Sequence, residues 1–145
     1  MAVPGTRIMG LDVGQRRIGV AISDPVGATA QGVTVLERRA SAADDVEAVC
    51  RLAKAHAAEL LVIGLPLTLE GQRGPQAQRV ASFADLVHRA SGLPIAWVDE
   101  RFTTAQGERV LLEGGASRQR RKHVVDQVAA QLILQSYLDA HKPTR

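Results

Sequence analysis

The chain has 145 residues, of which 46% are hydrophobic and 23% charged, a balance that suits one globular domain with a real core and excludes disordered or fibrous classes. No run approaches the roughly 20 consecutive apolar residues of a membrane-spanning helix. The first seven residues lack the basic and apolar regions of a secretory signal, and the single cysteine, Cys50, cannot close an internal disulfide, so a soluble cytoplasmic protein with no membrane partner is expected. The net charge of +3 is unevenly spread: between Gly114 and Val125 stand four cations (Arg118, Arg120, Arg121 and Lys122) and no acid, leaving the remainder weakly acidic. Such a local patch fits attraction of phosphate, the competing reading being a solvated loop.

Thr6 to Val13 predicts a first strand, and a tight Gly14-Gln15-Arg16 turn leads into a second, Arg17 to Ser23. Thr29 to Leu36 predicts a third, completing an antiparallel meander. From Asp44 to Ala58, Val46, Val49, Cys50, Ala53 and Ala57 recur at helical spacing, and the continuous apolar run Leu60 to Gly64 then predicts a buried parallel strand. Leu65 to Gly74, with Pro66, Gly71 and Gly74, is a loop at that strand's C-terminal end, where open α/β sheets receive ligands. Pro75 to Ala90 predicts a second helix with Val80, Phe83, Ala84 and Val87 on one face, and Pro94 to Val98 a fifth strand. Thr103 and Gln106 form a capping box for a short helix ending at Gly114-Gly115, and a last helix runs from about His123 to Ala140. This order predicts an α/β protein of the ribonuclease H-like class, with residues 1–145 forming one domain. Its mixed five-stranded sheet joins the antiparallel meander to parallel strands and is flanked by helices.

Acids occupy three apolar settings: Asp12 after Ile8-Met9-Gly10-Leu11, Asp99-Glu100 after Pro94-Ile95-Ala96-Trp97-Val98, and Asp126 within Val124 to Ala130. Burying even an uncharged polar group without partners costs roughly 2–7 kcal/mol, so their joint occurrence points to a shared divalent cation. Strand alternation sets Asp12 on one face with Ile8 and Gly10, and sends Asp99 and Glu100 to opposite faces while the strand continues, so at most one of the two joins Asp12. Asp126, one turn before Ala130, comes to the same sheet end, where Ala129 and Ala130 allow close approach. Carboxylates are hard ligands suited to Mg²⁺ or Mn²⁺, and no Cys or His cluster favours zinc. A pair of such ions, roughly 3.5–4 Å apart, serves hydrolysis of phosphodiesters. Each acid has a structural alternative: Asp12 as a turn cap, Asp99 as partner of Arg101, Asp126 as a first-turn acid favoured by the helix dipole.

Thr103 and Thr104 are helix-capping residues that can also touch phosphate. Arg16 and Arg17 flank the first hairpin, where nucleic-acid contact competes with plain solvation. The loop Gly64-Leu65-Pro66 with Gly71-Gln72-Arg73-Gly74 lacks the Lys-Ser/Thr ending of a P-loop. Cys50 is expected in the core rather than as a nucleophile. His123, beside the basic run, is a surface or phosphate-contacting position rather than a metal ligand. The few aromatic residues, Phe83, Trp97, Phe102 and Tyr137, exclude an extensive base-stacking platform.

Four ordered segments resemble the bacterial YqgF/RuvX family: Gly10 to Asp24, Gly64-Leu65-Pro66 with Gly71 and Gly74, Asp99-Glu100-Arg101-Phe102-Thr103-Thr104, and Val125 to Ala130 with Ile133 to Asp139. Gly-Leu-Asp-x-Gly alone also opens sugar-kinase and actin-like ATPases, whereas the four segments together are specific. The resemblance implies a ribonuclease H-like fold, a cytoplasmic location and maturation of the 5′ end of pre-16S ribosomal RNA, a structured RNA, with the ribosome as a further partner. A Holliday junction resolvase acting on branched DNA, like RuvC, is the alternative, and a non-catalytic RNA- or ribosome-binding module a third reading. Carried over residue by residue, Asp12, Glu100 and Asp126 are the catalytic, metal-holding acids, with Asp99 as the alternative to Glu100. Arg16, Arg17, Arg101, Thr103, Thr104, Arg118, Arg120, Arg121 and Lys122 are the expected nucleic-acid contacts, and Lys122 matches a basic position of the family. Gln15 stands where Lys or Thr is common, Glu70 where Asp or Asn is usual, and His123 where some relatives have a second basic residue. A monomer or weak homodimer is expected.

Overall fold

The computed structural model describes the backbone of residues 7–102 and 118–141 and the side chains of residues 7–101 and 127–141. Five strands, β1 (Arg7–Val13), β2 (Arg17–Ser23), β3 (Ala30–Glu37), β4 (Ala58–Leu65) and β5 (Ile95–Asp99), form one sheet in the order β3-β2-β1-β4-β5. β1, β2 and β3 pair antiparallel, whereas β4 pairs parallel with β1 and with β5. The meander, the crossovers and the mixed sheet expected from the sequence are all present. The short helix expected between Thr103 and Gly114 lies outside the described residues.

Two helices, α1 (Ala42–Ala55) and α2 (Pro75–Ser91), cover one face of the sheet. Val46, Val49 and Ala53 of α1 and Val80, Phe83, Ala84 and Val87 of α2 pack there with Met9, Leu11, Ile18, Val20, Leu61 and Ile63. α1 stops at Ala55, short of the expected Ala58. His56 caps it with its backbone N–H, and Ala57 takes a left-handed φ of 55° that releases the chain into β4.

The opposite face carries α3 (Arg118–Ala140), whose Ala130, Ile133, Leu134 and Leu138 pack on Ala21, Ala30 and Val62. This helix begins at Arg118 rather than near His123. Arg, Gln and Lys are good helix formers but show no apolar period, so a pattern reading misses the first turns. Glutamines one turn apart then tie α3 to the edge strand: Gln131 Nε2 donates to the Ala30 carbonyl at 3.1 Å, while Gln135 Oε1 accepts from the Ala30 N–H at 3.0 Å and its Nε2 donates to the Ala28 carbonyl at 3.0 Å. An exposed strand edge is a template for unwanted pairing, and these side chains cover the start of this one. Because Gln131 reaches Ala30 and Gln135 reaches back to Ala28, α3 runs antiparallel to β3 and therefore to β1.

Close approach of α3 is possible because β1 has no side chain beneath it at Gly10. A Cβ on Gly10 would lie 2.7 Å from Leu134 Cβ and 3.2 Å from the Ala130 carbonyl oxygen. On the other face another acid, Asp45, is buried in the first turn of α1. Its carboxylate accepts from Arg38 Nε at 3.1 Å and from the Arg39 N–H at 2.8 Å, while Arg38 Nη1 donates to the Gly14 carbonyl at 3.0 Å. One ion pair thereby fixes the β3–α1 connection against the β1–β2 hairpin.

Candidate active site

Asp12 is the sixth residue of β1, and strand alternation sets it with Ile8 and Gly10 on the face that α3 covers. It is only 7% exposed. The last pair of the β1–β4 register is Leu11 with Ile63, so Asp12 and Gly64 come next to one another on adjacent parallel strands. Over Gly64 lies Glu100, 6% exposed, whose Cγ and Cδ would be 3.1 and 3.2 Å from a Cβ at position 64. Glycine at the end of the apolar run is thus the seat of an acid contributed from far along the chain. The sequence signal for it was there in Leu60-Leu61-Val62-Ile63-Gly64, but nothing in that run names Glu100 as the occupant.

The neighbouring Asp99 ends β5, and Glu100 begins a single 3₁₀ turn, Glu100–Phe102. Asp99 turns to Arg101, accepting from its backbone N–H at 3.0 Å and from its guanidinium Nε and Nη2 at 3.1 and 2.8 Å. The hydrogen bond from Arg101 holds the Asp99 carboxyl below the usual carboxylate range, against the opposing effect of burial. Arg101 also donates from Nη1 to the Leu69 carbonyl at 3.2 Å, and so straps the loop between β4 and α2 to the end of β5. That loop is closed on itself by Thr68, whose N–H donates to the Gln72 carbonyl and whose carbonyl accepts from Gly71 N–H, both at 2.9 Å.

α3 brings position 126 to the same place. Ala130 sits over Gly10, α3 is antiparallel to β1, and one helical turn back from Ala130 the backbone passes over the end of β1 that carries Asp12. The side chain of Asp126 lies outside the described residues, as do those of Thr103, Thr104, Arg118, Arg120, Arg121 and Lys122. Among the described residues no group of three or more His, Cys, Asp or Glu is placed to hold a metal ion.

Of the other expected contacts, Arg16 is exposed at the hairpin, with its carbonyl accepting from Arg38 N–H at 2.8 Å. Arg17 is committed to Glu37 across the β2–β3 pair, its Nε 3.0 Å from the carboxylate. Cys50 is half-buried against the α1–α2 core, where burial pushes its thiol above the usual range, as suits a packing residue. The residues missed by pattern reading are Asp45 and the glutamines of α3. Asp45 meets Arg38 and Arg39 across a turn, and the glutamines reach Ala28 and Ala30 more than 100 positions away, so periodicity carries no trace of these contacts.

Asp12 and Glu100 offer hard oxygens at the C-terminal edge of a mixed sheet, where adjacent parallel strands end. The His88 and His141 rings hydrogen-bond the Leu93 and Tyr137 carbonyls, and among the described residues no group of three or more His, Cys, Asp or Glu that could hold a metal forms. The donor set fits Mg²⁺ or Mn²⁺ rather than zinc.

The same architecture occurs in solved resolvases. A Thermus thermophilus RuvC in complex with a Holliday junction substrate superimposes with a TM-score of 0.58 at 14% identity, covering 96% of this chain and 99% of that one. A fowlpox virus resolvase in complex with Holliday junction DNA gives 0.55 at 11% identity, covering 94% and 99%. These likenesses establish the ribonuclease H-like fold. Two proteins named "Putative pre-16S rRNA nuclease" are far closer in sequence. That of Moorella thermoacetica is 53% identical, covering 92% of this chain and 94% of its own length, and that of Myxococcus xanthus is 47% identical, covering 94% and 90%. The model of the family described as "RuvX: Holliday junction resolvase" matches residues 6–140, and with these relatives it establishes that the chain belongs to the RuvX family.

Proposed function

We propose that this protein is a divalent-metal-dependent nuclease that hydrolyses phosphodiester bonds of RNA and processes the 5′ end of pre-16S rRNA in the cytoplasm. The observation that supports the reading is two buried carboxylates, Glu100 over Gly64 and Asp12 on the adjacent strand beside that glycine. The substrate follows from the names of relatives that are about half identical over nearly the whole chain.

In this reading Asp12, Glu100 and Asp126 would hold Mg²⁺ or Mn²⁺, and Asp99, already bonded to Arg101, would stand aside. When bound, the metal supplies activation of the attacking water and stabilisation of the leaving oxygen. The chain's own residues do the rest. The three acids would orient the cation, and the cationic side chains supply the attraction for the anionic phosphate backbone. Arg118, Arg120, Arg121 and Lys122, with Thr103, Thr104 and Arg16, draw in and hold backbone phosphates. Arg17 and Arg101 contribute mainly by keeping the β2–β3 end and the loop after β4 in place.

The test is incubation with Mn²⁺ of two labelled substrates, a structured RNA with a 5′ extension and a four-way DNA junction. Cleavage of the RNA is expected, saturable in Mn²⁺ and abolished by EDTA. Symmetric cutting of the junction with the RNA left intact would favour the second reading, which the family's description supports. Binding of RNA without any cleavage would mean a non-catalytic module.

A subtler variant probes the seat of Glu100. In Gly64→Ala the new methyl would meet Ile133 Cδ1 at 2.6 Å and the Glu100 side chain at 3.1 Å. The contact is with the far end of a flexible side chain, so the stability cost should lie near the lower end of the overpacking range, about 1 kcal/mol. The carboxyl must shift by a few tenths of an ångström, and RNA cleavage should fall roughly tenfold, given that a full ångström of misplacement costs about 100-fold. Unchanged cleavage would mean that Glu100 tolerates displacement and is not a ligand.

A further inference from the structure

On the face opposite Asp12 and Glu100, between the starts of α1 and α2, a cavity of about 500 Å³ opens at the same edge of the sheet. Its polar lining is Gln15, Arg38, Arg39, Asp45, Gln76 and Arg79. The one acid is spent internally, since Asp45 accepts from Arg38 Nε and from the Arg39 backbone. Arg38 is likewise fixed, bonded to the Gly14 carbonyl and lying 4.9 Å over the Phe83 ring. Arg39 and Arg79 are different. Both are exposed, and among the described residues neither is ion-paired, whereas Arg17, Arg51, Arg89 and Arg101 each hold a carboxylate. Three guanidinium groups against one carboxylate leave the cavity cationic, and Gln15 and Gln76 add amide donors.

The position of the cavity says what it serves. Val13, in its wall, directly follows Asp12, and alternation sends the two side chains to opposite faces of the sheet. Only the hairpin turn at Gly14 to Arg16 separates the acidic pair from the arginines. A polynucleotide leaving the acids over this turn passes the exposed Arg16 and reaches Arg39 and Arg79 within a few nucleotides.

We infer that this arginine-lined cleft is a second phosphate subsite, gripping the nucleic-acid backbone a few nucleotides from the bond that is cut. The inference rests on the nuclease reading, but its test needs no cleavage. Fluorescence anisotropy in EDTA follows binding of a labelled 30-nucleotide RNA hairpin with a 5′ extension to the full chain. In R39A/R79A the Kd should rise about tenfold at 0.1 M salt, and the slope of log K against log salt should fall by roughly 1.4–1.8, at about 0.7–0.9 per lost phosphate contact. R51A/R89A removes the same charge from ion-paired helix surfaces and should change Kd less than twofold, and R39K/R79K should recover most of the affinity. Equal losses in R39A/R79A and R51A/R89A, no loss in either, or no RNA binding by the wild-type chain would each overturn the subsite. So would loss of 5′-AMP binding by calorimetry in R39A/R79A with RNA affinity intact, because the cleft would then serve a free mononucleotide. Failure of the nuclease reading itself appears separately, as absence of Mn²⁺-dependent cleavage.

Discussion

Asp12→Asn should reduce Mn²⁺-dependent RNA cleavage by on the order of 100- to 1,000-fold, the scale on which removing one preorganised electrostatic group acts. The fold should survive. Asn has the shape of Asp, and at 7% exposure the side chain keeps its packing while losing the charge that binds a cation. Thermal melts supply a readout independent of catalysis. A ligand that binds only the native state stabilises it by about 2.7 kcal/mol at 100 times its Kd. At roughly 2–4 °C per kcal/mol for a chain of this size, saturating Mn²⁺ should raise the wild-type midpoint by roughly 5–10 °C. In the variant that rise should largely vanish, while the midpoint in EDTA stays within a few degrees of wild type. Undiminished cleavage, or an identical response to Mn²⁺, would remove Asp12 from the site.

Gly10→Ala should be the most damaging single methyl in the sheet. The added carbon meets Leu134 Cβ at 2.7 Å and the Ala130 carbonyl oxygen at 3.2 Å, and neither can turn away as a side-chain tip does. The whole helix must lift. Ile133 and Leu134 are fully buried beneath it, so the loss of fit should cost about 1–3 kcal/mol and lower the thermal midpoint by roughly 3–10 °C. Because α3 also carries position 126 over the end of β1, cleavage should fall further than in Gly64→Ala, even well below the melting temperature. A stability equal to wild type in urea titration would show that α3 does not rest directly on β1.

Much of this architecture was legible because its signals are local. The continuous apolar run of β4 records a strand covered on both faces, and the stripe Val80, Phe83, Ala84, Val87 records a helix meeting one face of the sheet. The misread boundaries are places where no apolar period exists. The cationic first turns of α3 have none, and α1 ends at a backbone turn at Ala57 that its alanine does not announce. In the site, alternation could not separate Asp99 from Glu100, because the strand ends at Asp99 and Glu100 opens a 3₁₀ turn. Their two fates depended on partners elsewhere: Arg101 claimed Asp99, and Gly64 left room for Glu100.

By itself the sequence determined which residues could serve as hard ligands, that the basic charge is concentrated near the start of the last helix, and the order of strands and helices. Each of these depends on residue type and short-range spacing. Only the tertiary structure decided that Gly64 seats Glu100 beside Asp12, that α3 runs antiparallel to β1 and is held to β3 through Gln131 and Gln135, and that Arg39 and Arg79 share a cleft behind the acidic pair. Those are contacts between residues dozens of positions apart. They exist because the folded sheet sets its strand ends side by side, a juxtaposition that no local pattern encodes.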